Sequence, residues 1–318
     1  MYNRIKKKIP RKDLIRYFFW RISSAPFFHI STSNASQSKS SNACYPSIVT
    51  IVFSKDRAMQ LDALLRSFFE TKIGECSVKV IYTHSSDAHK KSYQDLHSIY
   101  REKVDFIVED EFSCFKECLE HVMLELRSER VFFLVDDIIF TESVDYSYLS
   151  SIDLTNAIFS LRMGANLNFS YVVNSKQPLP KNIKFNGTLL EWKWSDGLFD
   201  WGYPLSVDGH IFSVTEVISW IKHLNFRSPS SFENSLQNII FEYRHKLGFS
   251  FRKSKIVNIP ANKVQLEVEN LHGSTHQDQL LQLWFDGMAI DHKKLRGWVN
   301  SSAHQDIDFY FIKREPLI

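Results

Sequence analysis

Residues 130–143 read RVFFLVDDIIFTES: an apolar run passes straight into Asp136 and Asp137 and resumes at Ile138. Carboxylates are almost never fully buried unless they are paired or bound to a metal. Two in a row at the end of an apolar run are therefore candidates for chemistry. Oxygen ligands of this kind suit a hard divalent cation, Mn2+ or Mg2+, whose shell is completed by phosphates and water. A cation held there neutralises a diphosphate and the charge that builds on it as it departs. Strand side chains alternate, so only one of the two carboxylates shares the direction of Val135. Asp137 is the expected direct ligand, and Asp136 the contact to a ribose or to a metal-bound water. The structural alternative is a turn in which both cap backbone groups.

The elements that must position this pair follow from periodicity. SIVTIVF (47–53) reads as a β-branched buried strand, and VKVIYT (78–83), VDFIV (104–108) and VFFLV (131–135) as further strands. Between them, Leu61, Leu64, Leu65 and Phe68 form one helix face, Leu96, Ile99 and Tyr100 a second, and Phe115, Cys118, Leu119, Val122 and Leu126 a third. Strands alternating with helices of this length predict an α/β fold, a Rossmann-like, mainly parallel sheet covered on both faces. Ligands of such sheets bind outside the carboxyl ends of the strands. Asp136 and Asp137 stand at that edge, as do Ser54–Arg57 after the first strand and His84–Asp87 after the second. Beyond residue 145 the pattern loosens. Helical spacing returns at 214–224 and 233–246, and no internal repeat is visible.

Composition bounds the answer. The chain has 318 residues, 44% hydrophobic and 14% aromatic, enough for a real core. Residues 1–21 hold eight Lys/Arg against Asp13, so the net charge of +3 leaves the remaining body mildly acidic. Nothing in that body suggests a nucleic-acid partner. Four cysteines are too few and too scattered for a disulfide scaffold, and a reducing, cytoplasmic setting is the expectation. No stretch approaches the ~18 apolar residues of a membrane span, and the N-terminus lacks the form of a secretory signal. KDLIRYFFWRI (12–22) instead places Leu14, Ile15, Phe18, Phe19 and Ile22 on one face of a basic helix, a composition that lies on anionic lipid or packs on protein. Thus residues 1–30 form a basic amphipathic segment and 31–44 a Ser-rich linker. Residues 45–145 read as a nucleotide-binding half, and 146–318 as a second, mixed half.

Three stretches together, VTIVFSKDRAMQLDALLRSF, VKVIYTHSS and FFLVDDIIF, resemble the nucleotide-sugar half of GT-A glycosyltransferases, especially bacterial family-two-like enzymes. Asp-Asp stands where that family usually has Asp-x-Asp. A weaker resemblance extends through SLRMGANLNFSY, YPLSVDGHIF and NKVQLEVENLHG to transferases of polysaccharide and lipopolysaccharide clusters. The resemblance implies that Ser54, Asp56 and Arg57 touch the base or phosphates and that Asp87 reaches the ribose. The guanidinium fork of Arg57 matches phosphate oxygens; its local alternative is a salt bridge to Asp56 or Asp62. Asp136 would join the donor contacts, and a late histidine, His272, would join Asp137 on the metal.

An inverting transfer also needs a base for the acceptor hydroxyl. In the family it is commonly an acid opening a helix in the second half. SVDGHIFSVTEVISWI fits, with Asp208 in a Gly-containing turn and His210 as a neighbour that tunes or replaces it. Glu233 in SPSSFENSL is the rival, better suited to a capping box. Trp194, Trp201 and Tyr203, with Trp192 nearby, crowd the approach to Asp208 and are expected to line an acceptor groove or to pack in the core.

The expectation is a metal-assisted, nucleotide-sugar-dependent glycosyltransferase acting on a glycan or lipid-linked acceptor, held at the inner membrane face by residues 1–22. Two other classes stand beside it. One is a nucleotidyltransferase-like enzyme, although FSKDRAMQ has no glycine for a phosphate loop; the other is a non-catalytic glycan-binding protein on the same fold.

Overall fold

The computed structural model describes residues 47–260 and 277–314. The basic N-terminal segment, the Ser-rich linker and His272 lie outside these residues.

The first half alternates as its periodicity requires: β1 (Ile48–Lys55), α1 (Ala58–Thr71), β2 (Ser77–Thr83), α2 (Asp87–Tyr100), β3 (Val104–Val108), α3 (Phe115–Glu125) and β4 (Arg130–Val135). Every residue of β1 except Lys55 is buried, because β2 and β4 flank it and helices cover both faces. Alternation along β4 shows the two faces. Phe132 stacks on Tyr146 at 5.9 Å on one side, whereas Phe133 stacks on Phe53 at 5.4 Å on the other. Leu61, Leu64, Leu65 and Phe68 of α1 are all at most 1% exposed and pack on the Phe132 face. Phe115 of α3 meets Phe53 at 5.3 Å on the opposite face.

After β4 the chain turns at Asp136–Asp137 into β5 (Ile138–Phe140), and β6 (Ala157–Ser160), β7 (Lys184–Asn186), β8 (Leu189–Lys193) and β9 (His210–Ser213) follow. Then come α4 (Val214–His223), α5 (Pro229–Leu236), β10 (Leu247–Phe251), β11 (Ile256–Asn258) and α6 (Gln277–Phe285). One nine-stranded sheet runs through both halves in the order β7-β8-β10-β6-β9-β4-β1-β2-β3. Pairing is parallel through β4-β1-β2-β3, as the alternation predicts. The second half extends the sheet with antiparallel pairs and one parallel pair, β6 with β10. Helical spacing at 233–246 resolves differently from the expectation. α5 begins at Pro229, earlier than the pattern, and a 3-10 turn at Gln237–Ile239 interrupts the run. Among the described residues no helix is long and apolar enough to cross a membrane.

Candidate active site

The parallel strands end where the sequence places the polar clusters. At the end of β1, Ser54 is buried, Asp56 adopts φ 56°, and Arg57 starts α1 by accepting the Leu61 amide at 3.0 Å. Asp136 follows β4 directly, its amide still donating to Phe53 O at 3.2 Å.

The two aspartates have different surroundings. Asp136 is 3% exposed, and protein donors engage both its oxygens: Ser54 Oγ at 2.9 Å, the Lys55 amide at 3.2 Å and Arg57 Nη1 at 3.0 Å. Behind it, Tyr93 lies 2.6 Å from Ser54 Oγ and accepts the Arg57 amide at 3.3 Å. Arg57 Nη1 also donates to Asp137 Oδ2 at 3.1 Å, so one guanidinium nitrogen joins both carboxylates. Burial opposes the charge on Arg57, but Asp136 and Asp137 outweigh it and hold the guanidinium above its ordinary value. Asp137 Oδ1, in contrast, is buried without a hydrogen-bond partner. Burial, helped by Asp136 and Asp208 and opposed by Arg57 and His304, pushes the Asp137 carboxyl up to about 7.

Strand register brings the second half to this edge. Ile211 pairs with Phe132 across β9 and β4, which carries Asp208 to the level of Val135. His210 pairs with Ser160 across β9 and β6, which carries Arg162 opposite Asp208. Gly209 sits between at φ 73°, and a Cβ there would come within 2.4 Å of Ile256 Cδ1. Asp208 therefore sits one turn ahead of a four-residue strand, not at the opening of a helix.

Arg162 is 4% exposed and clamps this turn, with Nη1 on Ser206 Oγ at 2.9 Å and Asp208 Oδ2 at 3.4 Å and Nη2 on Asp200 Oδ1 at 2.8 Å. Asp208 Oδ2 has a second nitrogen neighbour, His304 Nε2 at 3.3 Å. Burial works against the Asp208 carboxylate, but the hydrogen bond from His304 and the charge of Arg162 prevail and hold it below its ordinary value. Glu233 reaches the same turn, its Oε1 3.4 Å from the Val207 amide; burial and Asp208 push its carboxyl up to about 7 against Arg162.

Several expected roles are corrected by these positions. Asp56 accepts the Ser85 amide at 2.8 Å and ties β1 to the β2–α2 loop, so its carboxylate is engaged by the protein. Asp136 is likewise engaged on both oxygens. Arg57 pairs with the aspartate pair, not with Asp56 or Asp62, which bonds Arg66 at 2.9 Å. His210 is 1% exposed, bonds Pro204 O at 2.9 Å, and is pushed down to about 3 by burial and Arg162; it is an interior, neutral ring. Trp194 and Trp201 are 0% exposed and pack at 4.8 and 4.9 Å around Trp192, so they build core and not an acceptor groove. Glu233 is no capping acid: Ser228 and Ser231 form the capping box of α5. Tyr203 is half-buried beside Glu233, and Asp87 is exposed on the first turn of α2 behind its Ser86 cap.

Arg162, Asp200, Tyr93 and His304 escaped the sequence reading. Arg162 carries the signal that drew attention to Asp136, a charge at the end of the apolar run AIFSL. His304 carries no local signal. It arrives by backbone bridging: Ile138 pairs with Asn258 across β5 and β11, and Asn258 in turn bridges to His304.

The donor set admits a hard cation in one way. Asp137 Oδ1 is a buried carboxyl oxygen without a hydrogen-bond partner, and among the described residues no group of three or more His, Cys, Asp or Glu is arranged to hold a metal. One carboxylate oxygen completed by phosphates and water is how Mg2+ is commonly held, so the residues fit such an ion but not a closed protein cage.

No family model matches the chain. Over 281 residues it is 27% identical to the bifunctional glycosyltransferase pgtA of Dictyostelium discoideum, covering 77% of this chain and 36% of that protein. The chain thus spans about a third of the length of this curated relative. Among solved structures, S. aureus TarS 1–349 in complex with UDP-GlcNAc is 14% identical with a TM-score of 0.46, covering 76% of this chain and 72% of that one. The WbbM bifunctional glycosyltransferase is 17% identical with a TM-score of 0.35, covering 64% and 38%. Over three quarters of its own length, then, this α/β chain is similar in sequence to a glycosyltransferase.

Proposed function

We propose that the chain is a glycosyltransferase that moves a sugar from a nucleoside-diphosphate donor to a glycan or lipid-linked acceptor, with inversion. One observation carries the reading: an unpartnered oxygen of Asp137 ends β4 within electrostatic reach of Asp208 and His304, which come from the other half of the chain. A donor-side carboxylate close to a proton-accepting group is what a single displacement needs.

In this reading Ser54, Tyr93 and Arg57 hold Asp136 rigid, and Asp136 with Arg57 fixes the orientation of Asp137. Asp87, exposed on the first turn of α2, would contact the ribose of a donor. A divalent cation, when bound, would be held by Asp137 together with donor phosphates and would neutralise the departing diphosphate. Arg162 keeps the turn of Asp208 in place, and the negative charge of Asp208 favours loss of the proton from the acceptor hydroxyl on this side of the site. The concentration of positive charge in residues 1–21 supports attachment to an anionic membrane face, where lipid-linked acceptors sit.

A donor screen tests this. UDP- and GDP-sugars are incubated with the full chain and Mn2+, and released nucleoside diphosphate is followed for wild type and Asp137→Ala. Turnover of at least one donor is expected, lowered about a hundredfold or more in the variant. Equal turnover in both proteins overturns the reading.

A further inference from the structure

We propose that the acceptor's proton is taken at Nδ1 of His304, with Asp208 as the carboxylate that orients the ring and stabilises the imidazolium. This deepens the glycosyltransferase reading and rests on it.

Asp208 is already engaged. Its Oδ2 faces Arg162 Nη1 at 3.4 Å and His304 Nε2 at 3.3 Å. An oxygen facing two donors is a poor acceptor for a third proton. The ring of His304 is better placed to take the proton. With Nε2–H donating to a carboxylate, the neutral imidazole carries its lone pair on Nδ1, and among the described residues no hydrogen bond engages that atom. The His304 side chain is 20% exposed against 10% for Asp208, so the ring is the more open of the two to an incoming hydroxyl. His210, the other ring near Asp208, is sealed in the core at 1% exposure.

The ring is also held by its backbone. Asn258 donates to Ala303 O at 3.0 Å and accepts the Gln305 amide at 2.9 Å, so bonds on both sides of His304 fix its backbone. Just upstream, Asn300 Oδ1 accepts Ser254 Oγ at 2.6 Å and Asn166 Nδ2 at 3.1 Å, and Tyr171 donates to Ser302 Oγ at 3.1 Å. A loop tethered this often presents its histidine in one place, the condition for an effective base.

The step balances. The acceptor oxygen forms a bond to the anomeric carbon, its proton passes to His304 Nδ1, and the bond from that carbon to the diphosphate oxygen breaks with its electron pair leaving on the diphosphate. The imidazolium then returns its proton to solvent. Water in place of the acceptor follows the same course, which makes donor hydrolysis a usable assay.

The test measures two things on the full chain. UDP and GDP binding with Mn2+ is followed by titration calorimetry, and UDP- or GDP-sugar hydrolysis by its rate. His304→Gln is expected to bind nucleotide as wild type does and to hydrolyse about 10²–10⁴ times more slowly. In His304→Ala, added imidazole is expected to restore part of the rate, a readout that a merely structural role would not give. If His304→Gln hydrolyses at the wild-type rate, or if imidazole does nothing for His304→Ala, the assignment to His304 falls while the reading of the site stands. If wild type binds neither nucleotide, the reading of the site falls and the assignment with it.

Discussion

The Ile259 amide donates to the carbonyl oxygen of Asp137 at 2.9 Å. That bond continues the pairing of β5 with β11, and the residue before Ile259, Asn258, bridges to His304. The geometry of the aspartate turn and the placement of the late histidine therefore share one backbone ladder. Elements far apart in the chain are thereby tied to one another at the aspartate turn.

Removal of the anchor of that ladder is the first prediction. Asn300 is 1% exposed, and its side chain satisfies Ser254, Asn166 and the Ser302 carbonyl. Asn300→Ala leaves these groups short of partners inside the protein, a cost of about 1–3 kcal/mol. The loop of His304 then loosens while the aspartate turn keeps Ser54, Lys55 and Arg57. Urea melts should show that loss of stability, and donor hydrolysis should fall more than nucleotide affinity. Equal falls in both would detach the loop from the proton-taking step.

Arg57 supplies the second. Its Nη1 joins Asp136 and Asp137 at 3.0 and 3.1 Å with only 10% of its side chain exposed. Arg57→Met leaves two buried carboxylates facing each other, and removal of one partner from a buried ion pair costs about 3–5 kcal/mol. Adding Asp136→Asn removes one of the stranded charges, so the double variant should be more stable than Arg57→Met alone. Chemical denaturation of the four proteins of this cycle measures the coupling. Additive losses would mean that the guanidinium does not hold the pair.

How much of this was legible in the sequence depends on whether the signal was local. β1 to β4 and the helices between them follow from short apolar periods, because each element buries its own face on the common sheet. Asp136–Asp137 and Asp208 stood out for the same reason, as charges or turns interrupting apolar runs. The role of Trp194 and Trp201 was not readable. An aromatic near a charged turn looks the same whether it lines a groove or fills the core; only the packing on Trp192 decides. His304 was out of reach altogether, since its place depends on register between β5, β11 and a bridge, none of which leaves a pattern in SSAHQD.

The aromatic core gives the third prediction. Trp192 Nε1 donates to Trp201 O at 3.2 Å, and a Cβ on Gly248 would come within 2.4 Å of the Trp192 ring. Gly248→Ala overfills a packed contact and should cost about 1–3 kcal/mol. Trp201→Ala empties one and should cost about 3–5 kcal/mol. Thermal melts with and without candidate glycans check the assignment. A tryptophan lining an acceptor groove would instead change glycan binding and leave the melting temperature nearly as it was.

Glu233 gives the last prediction, and the sign is set by the direction of its shift. Burial, with Asp208 beside it, holds its carboxyl at about 7, well above the ordinary value of 4.5, while Arg162 pulls the other way. A carboxyl raised in this way binds its proton more tightly folded than unfolded. Stability from that group is therefore present below about pH 4.5 and is lost as pH rises towards about 7. Glu233→Gln keeps an oxygen for the Val207 amide, 3.4 Å away in the wild type, and removes the charge. The variant should match wild type near pH 5 and exceed it by about 1–3 kcal/mol near pH 8. Urea melts at the two pH values measure this. A variant less stable than wild type at pH 8 would mean that the Glu233 carboxylate is held by attraction to Arg162 more strongly than burial and Asp208 oppose it.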